Sequence, residues 1–133
     1  MQTKPVLTVT ETTRILDAAR AEAEKNKWAV AIAVVDDGGH LLGLLRLDGS
    51  APVSAEIAIG KARTSAVGRR ETRLYEEMIN NGRTAFLSAP LVATLEGGIP
   101  VMVGDQVVGA VGVSGVKPGE DAQVARAGAQ AVV

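Results

Sequence analysis

Two pairs of short apolar runs, each pair interrupted by a turn, limit the fold of this chain more than any other feature. The first pair covers residues 28–35 and 41–47, and the second covers residues 99–103 and 107–113. A short segment containing glycine and aspartate separates the two runs of each pair. Apolar runs joined in this way are typical of β-hairpins. The sequence therefore predicts an antiparallel sheet built from two hairpins.

Four other segments have the composition and spacing of helices. They are predicted over residues 8–26, 54–68, 71–80 and 118–133. Thr8 and Glu11 have the three-residue spacing of a capping box at the start of the first helix. Ala58, Ala62 and Ala66 recur every fourth residue, so one face of the second helix is small enough to pack closely on a sheet.

The order of elements is helix, hairpin, two helices, hairpin, helix. Helices must cover the apolar faces of an antiparallel sheet, which gives a layered α+β domain. The 133 residues fit one domain, so residues 1–133 are predicted to form it. Residues 83–98 have no clear periodicity and are predicted to be partly irregular.

Composition excludes several classes of function. The net charge is −1 and aromatic residues make up 2%, which leaves neither a basic surface nor stacking platforms for nucleic acid. No apolar run approaches the 20 residues of a membrane span. The chain has no cysteine, so disulfides, thiolate zinc sites and cysteine nucleophiles are absent. These features predict a cytoplasmic protein that binds neither nucleic acid nor membrane.

Asp36, Arg46 and Asp48 lie where the strands of the first hairpin are predicted to emerge from the sheet. The planar guanidinium of arginine suits a carboxylate or a phosphate, so these residues are candidates for holding a polar ligand. An equally good alternative is that Arg46 pairs with Asp36 or Asp48 across the hairpin.

Lys61 borders the apolar stripe of the second helix, because Ile57, Ala58 and Ser65 lie three or four positions away. A partly buried lysine could bind an anionic group or act as a base. The alternative is a side chain whose stem packs against the sheet while its ammonium stays in solvent.

Ser114 ends the last strand, within Gly-Val-Ser-Gly at 112–115, just before a helix. Backbone N–H groups at such a position can bind an anion. The Gly-x-Ser-x-Gly spacing of a nucleophile elbow is absent, so Ser114 is predicted to bind ligand and not to attack it. Carboxylates are scattered along the sequence, and no metal site is predicted.

Six ordered motifs carry a family resemblance. They are Val-Val-Asp-Asp-Gly-Gly at 34–39, Arg-Leu-Asp-Gly at 46–49, Lys-Ala at 61–62, Gly-Gly-Ile-Pro at 97–100, Gly-Ala-Val-Gly-Val-Ser-Gly at 109–115, and Asp121. Together they resemble the GlcG/HbpS-like family, often labelled haem-degrading, which includes the C-terminal domain of PduO-type proteins. The resemblance implies a profilin- or PAS-like layered fold, homo-oligomers from dimers to octamers, and haem as the candidate cofactor.

A haem requires an axial ligand, usually His, Met, Tyr or a Cys thiolate. His40, the single histidine, falls on the predicted turn of the first hairpin, where side chains usually face solvent. Tyr75, Met78 and Met102 are the other candidates, and each is equally explained by packing. Met102 lies in a strongly apolar strand and is expected in the core.

These features predict an oligomeric small-ligand-binding protein that takes haem or a small anionic metabolite in a catabolic or haem-related role. The apolar strand at 107–113 favours contact with a second subunit. The alternative function is an enzyme acting on a small organic acid, with Lys61 or Asp36 as acid/base and Arg46 binding the carboxylate. A third reading is an assembly protein without a small ligand.

Overall fold

The computed structural model describes residues 1–132 and confirms the predicted α+β fold. Its main elements are α1 (Val9–Lys25), β1 (Ala31–Asp36), β2 (Leu41–Arg46), α2 (Val53–Gly68), α3 (Thr72–Asn80), β3 (Gly98–Val103), β4 (Gln106–Ser114) and α4 (Pro118–Ala129). Short 3₁₀ turns cover Thr84–Ser88 and Gln130–Val132. The last helix was predicted to reach Val133, which lies outside the described residues. No helix in residues 1–132 has the length and apolar character needed to cross a membrane.

The four strands form one antiparallel sheet in the order β2-β1-β4-β3. The two hairpins meet through β1 and β4, which are the central strands, while β2 and β3 form the edges. Ala31 pairs with Arg46 on one side and with Ser114 on the other. This register places the end of β2, the start of β1 and the end of β4 at the same end of the sheet.

Helices cover the two faces of the sheet with side chains of different size. On one face α2 packs through small side chains, as its four-residue alanine spacing predicts; this layer contains Ala31, Ala33, Val35, Ala58, Ala62, Ala66 and Ala110. A Cβ atom added at Gly112 would lie 2.1 Å from the carbonyl oxygen of Ala58. On the other face α1 and α4 pack through larger residues, including Ile15, Ile32, Val34, Val111, Val113 and Val124. The helix α2 therefore lies unusually close to its side of the sheet.

Both ends of α1 have defined caps. The Thr8 N–H donates to the Glu11 carboxylate at 2.8 Å, which confirms the predicted capping box. At the other end, the Trp28 N–H donates to the carbonyl oxygen of Ala23 at 2.9 Å. Lys27, between the end of α1 and Trp28, has φ of 59°. This is the left-handed conformation, which glycine usually adopts after the end of a helix. The chain thus keeps a lysine where glycine would be less strained.

Candidate functional site

Lys61 forms a buried ion pair. Its side chain is on α2, is 4% exposed, and places Nζ 3.1 Å from a carboxylate oxygen of Asp121 in the first turn of α4. Nζ also donates to the carbonyl oxygen of Val113 at 2.9 Å. The other carboxylate oxygen of Asp121 accepts the Val116 N–H at 3.1 Å. The ammonium is therefore enclosed, in contrast to the alternative in which it stays in solvent.

A glycine pair makes room for this ion pair. A Cβ added at Gly97, where φ is +132°, would lie 2.8 Å from Lys61 Nζ and 2.7 Å from the Val113 carbonyl oxygen. A Cβ at Gly98 would lie 2.5 Å from the carbonyl oxygen of Lys61. These glycines are required by the close approach of α2 to the sheet end. Lys61, the Gly97-Gly98 pair and Asp121 therefore form one packed cluster.

The electrostatics of the pair are dominated by burial. Burial raises the pKa of the Asp121 carboxyl above its usual range, while the Lys61 ammonium and the Val116 N–H oppose that rise. The charges of the two side chains compensate each other inside the protein. These contacts to Asp121 and to the Val113 carbonyl use two of the three N–H donors of the Lys61 ammonium.

A cleft of about 420 Å³ opens at the same end of the sheet, between the end of α1 and the end of β2. It is lined by Arg20, Glu24, Lys27, Trp28, Ala29, Leu45, Arg46, Leu47 and Asp48. Two of the predicted ligand-binding residues, Arg46 and Asp48, thus lie together at a concave surface. Trp28, half-buried just before β1, supplies a flat apolar wall.

The cleft is lined by three cations and by the carboxylates of Glu24 and Asp48. Arg20 pairs with Glu24 at 2.6 Å. Within residues 1–132, Lys27 and Arg46 have no carboxylate partner within 4.0 Å. Both cations can therefore pair with an anionic ligand at little cost to existing contacts. The sequence interpretation missed Lys27 and Trp28, although a lone tryptophan between a helix and a strand is a usable signal.

Asp36 lies at the opposite end of the hairpin from Arg46. Since Ala31 pairs with Arg46 and Val35 pairs with Leu41, about 17 Å of strand separates the two side chains. The carboxylate of Asp36 instead accepts the N–H groups of Gly38 and His40, each at 2.9 Å. The alternative in which Arg46 pairs with Asp36 or Asp48 is therefore wrong within residues 1–132, and Asp36 shapes the turn.

Ser114 is 7% exposed and continues the row of Arg46 and Ala31 across the sheet. It lies beside Val113, whose carbonyl holds Lys61. The N–H of Val116, which follows this strand, already binds the carboxylate of Asp121. The protein thus places one of its own anions where an external anion was predicted.

None of the four candidate haem ligands lines the cleft, and they are spread over the first turn, α3 and β3. His40 is exposed on the turn between β1 and β2. Tyr75 is buried, stacks on Phe86 with ring centroids 5.2 Å apart, and has the Arg70 guanidinium 4.8 Å from its ring. Met78 is half-buried on α3. Met102 is also half-buried on the edge strand β3, so its prediction as a core residue is wrong.

This chain is similar to known proteins in sequence and in fold. Protein GlcG of Escherichia coli K12 is 59% identical over 114 residues, which are 86% of this chain and 85% of GlcG. The crystal structure of a double mutant of Streptomyces reticuli HbpS is 34% identical with a TM-score of 0.89, covering 100% of this chain and 91% of that one. A structure of a PduOC–haem complex is 22% identical, with a TM-score of 0.85 and 96% of each chain covered, and shares the fold.

The family model described as "Haem degrading protein HbpS-like" matches residues 7–130. This match includes every strand and helix described above except the final turn. It also includes the Lys61–Asp121 pair and the residues of the cleft. The chain belongs to the HbpS-like family.

Proposed function

We propose that this protein binds haem, or a similarly flat anionic ligand, in the cleft between α1 and β2. The observation that carries the proposal is the position of Lys27 and Arg46, two cations without a carboxylate partner in residues 1–132, beside the indole of Trp28. Haem is a planar apolar ring with two propionate groups. Such a ligand would place its ring against Trp28 and its propionates near the two cations.

The strain at Lys27 supports the same assignment. A lysine in the left-handed conformation costs stability that glycine at this position would not. Strained residues often persist where a side chain is needed for function. The lysine side chain lines the cleft, which gives a reason for retaining it.

The lining of the cleft has groups that would hold the propionates and the ring of a haem, but none that would ligate its iron. When bound, haem supplies an iron that takes axial protein ligands, usually from His, Met, Tyr or Cys. None of these residue types is among those that line the cleft in the described part of the chain. Lys27, Arg46 and Trp28 would therefore hold the propionates and the ring, and the lining of the cleft supplies no ligand to the iron.

An enzyme acting on a small organic acid fits this geometry less well. Lys61 is sealed in its ion pair, and the Asp36 carboxylate is occupied by two backbone N–H groups. Asp36 and Arg46 also lie at opposite ends of the hairpin. Within one chain they could not contact the same small acid.

The test is a haem titration followed by the Soret band, with Arg46→Ala, Lys27→Ala and the control Arg14→Ala. Arg14 is an exposed cation on α1 that does not line the cleft. Loss of one charge-assisted contact of about 1.5–3 kcal/mol should raise Kd by roughly 10- to 100-fold in the cleft variants. The control should leave Kd unchanged.

Iron-free protoporphyrin and small aryl carboxylates complete the test. Binding of protoporphyrin that also depends on Arg46 would show that the propionates and the ring, and not the iron, are recognised in this cleft. Equal haem affinity in the wild type and in both cleft variants would refute the assignment of the site.

A further inference from the structure

A second concave surface lies on the side of α2 that faces away from the sheet. Ala62 packs against the sheet. Gly60 and Thr64 are each two positions from Ala62, so they lie on the opposite side of the helix. Residues 90–92 lie against that side and leave a cavity of about 360 Å³, here called the α2 groove. It is lined by Arg63, Thr64, Val67, Pro90, Leu91 and Val92. Its volume falls within the range of roughly 300–1,000 Å³ that is typical of small-molecule sites.

Two contacts hold the outer wall of the α2 groove in place. The Thr64 hydroxyl donates to the carbonyl oxygen of Val92. A Cβ atom added at Gly60 would lie 2.9 Å from the Cβ atom of Ala93, so the glycine allows this segment to approach α2 closely. Ala93 has φ of 57°, a left-handed conformation that is unfavourable for a residue with a Cβ atom. The wall is therefore already formed in the free protein, as the walls of ligand cavities usually are.

The surface of the α2 groove is mostly apolar and open to solvent. Val67 is 48% exposed and Val92 is 61% exposed. Pro90 beside them is also exposed, and Leu91 is half-buried. Exposed apolar side chains that cluster in this way, in contrast to isolated ones, often mark a site of binding. An occupant of the groove should therefore have an apolar body.

Arg63 carries the only charge among the described residues that line the α2 groove. Within residues 1–132 its guanidinium has no carboxylate partner within 4.0 Å. The turn after β1 borders the same side chains, since a Cβ added at Gly39 would lie 3.6 Å from Arg63 Cγ and 3.2 Å from Val67 Cγ1. A guanidinium can bind one carboxylate through two parallel hydrogen bonds. The anionic part of the occupant should therefore be a carboxylate.

We propose that the α2 groove binds a small monocarboxylate with a branched or aromatic apolar body. The carboxylate pairs with Arg63, and the body lies against Val67, Leu91 and Val92. Both parts are needed, because an exposed ion pair alone contributes little and an apolar wall alone does not select an anion. The proposal does not depend on the function proposed above, since the α2 groove and the cleft share no lining residue.

The single cation also sets a preference against ligands with two carboxylates. A second carboxylate held against Val67 or Val92 would lose water and find no cation among the described lining residues. Burying a charge without a partner is unfavourable. A dicarboxylate of similar size should therefore bind more weakly than a monocarboxylate.

The first experiment compares three ligands by the amide chemical shifts of isotope-labelled protein. Isovalerate has both parts of the proposed ligand, isovaleramide lacks its charge, and acetate lacks its apolar body. We expect saturable shifts at residues of the α2 groove with isovalerate, and affinities weaker by about 10-fold or more for the other two. Equal affinity for isovalerate and isovaleramide would overturn the proposal. So would the absence of saturable shifts with both isovalerate and benzoate.

Arg63→Met removes the charge and keeps a long apolar side chain. It should weaken isovalerate binding by about 10-fold or more, because a charge-assisted contact is lost. Arg14→Met is the matched control, since Arg14 is also exposed and lies outside the α2 groove. The control should bind isovalerate as the wild type does. Arg63 is exposed, so both variants should keep the wild-type Tm and a change in affinity would not reflect unfolding.

Val67→Glu tests the charge while Arg63 stays in place. Residues 63 and 67 are four positions apart on α2, so the new carboxylate can pair with Arg63 and occupy its guanidinium. Val67→Gln introduces a side chain of nearly the same size without charge. We expect Val67→Glu to lose isovalerate binding as Arg63→Met does, and Val67→Gln to keep most of it. Equal losses in the two Val67 variants would assign the effect to the apolar wall and would overturn the role of Arg63.

Two further measurements test the location and the kind of occupant. Arg46→Ala removes a cation from the cleft and should leave isovalerate affinity unchanged; a loss would place the ligand in the cleft instead. Light scattering should give the same mass for the wild type, Arg63→Met and Val67→Glu. A lower mass in both variants would show that a second copy of the chain covers the α2 groove, which would overturn its assignment to a small ligand.

Discussion

The ammonium of Lys61 and the carboxylate of Asp121 meet at 3.1 Å across the end of the sheet, although their helices cover opposite faces of it. Both residues are less than 5% exposed. Each has a further hydrogen bond to the backbone around the end of β4. This pair joins the two helical layers at a point where both approach the same turn.

Removing one partner should cost far more than removing both. We expect Lys61→Met to lower the free energy of unfolding by about 3–5 kcal/mol, because it leaves a buried carboxylate without its cation. The double variant Lys61→Met/Asp121→Asn should recover a large part of that loss. Urea denaturation of the wild type, both single variants and the double variant measures this directly. Losses that simply add would contradict a coupled pair.

The stability of Lys61→Met should depend on pH in a defined direction. Burial raises the pKa of Asp121, so the folded state retains a proton that the unfolded chain has already released. Stability from this group is therefore present at low pH and is lost as pH rises through the raised pKa. Without Lys61 the pKa rises further. The deficit of the variant relative to the wild type should shrink as the pH is lowered towards the ordinary pKa of an aspartate, as measured by urea midpoints.

The close packing of α2 makes Gly112 sensitive to a single methyl group. A Cβ there would lie 2.1 Å from the Ala58 carbonyl oxygen and 2.5 Å from the Ala62 nitrogen. Gly112→Ala should therefore push α2 from the sheet and cost about 1–3 kcal/mol or more. The control is Gly119→Ala, whose Cβ would have no heavy atom within 4 Å. Thermal denaturation should show a lowered Tm for the first and almost no change for the second.

Lys27 offers a test of strain retained for binding. Lys27→Gly should stabilise the protein by about 1 kcal/mol, since glycine adopts the left-handed conformation freely. The same change should weaken haem binding, because it removes a cation from the cleft. Lys27→Ala separates the two effects, since it loses the charge but keeps the strain. If Lys27→Gly is stabilised and binds haem as the wild type does, the strained lysine has no role in the cleft.

Residues close together in the sequence were enough to predict the strands and helices. The burial of Lys61 depends on a contact between residues far apart in the sequence. The hairpins and the capping box of Thr8 and Glu11 depend on residues close in sequence, and all are present. Lys61 and Asp121 are 60 residues apart. No pattern among neighbouring residues predicts that the first turn of α4 contacts the middle of α2. The burial of Lys61 therefore required the three-dimensional structure.

The error at Asp36 has a different cause. Both Asp36 and Arg46 follow apolar strands, which suggested a shared location. In a hairpin, however, the residue that ends the first strand and the residue that ends the second lie at opposite ends of the sheet. The antiparallel pairing of a hairpin was therefore enough to predict that Asp36 and Arg46 lie far apart. It was also sufficient to place Arg46 near Trp28, which precedes the first strand.

The Lys61–Asp121 pair couples α2 to α4 when the protein unfolds locally. Neither helical layer can detach while the other stays, because either motion would leave one charge of the Lys61–Asp121 pair buried without its counterion. Local opening of these helices is thereby tied to global unfolding. Amide hydrogens in the two layers should exchange with solvent at closely similar free energies, so that the layers behave as one cooperative unit although a sheet lies between them.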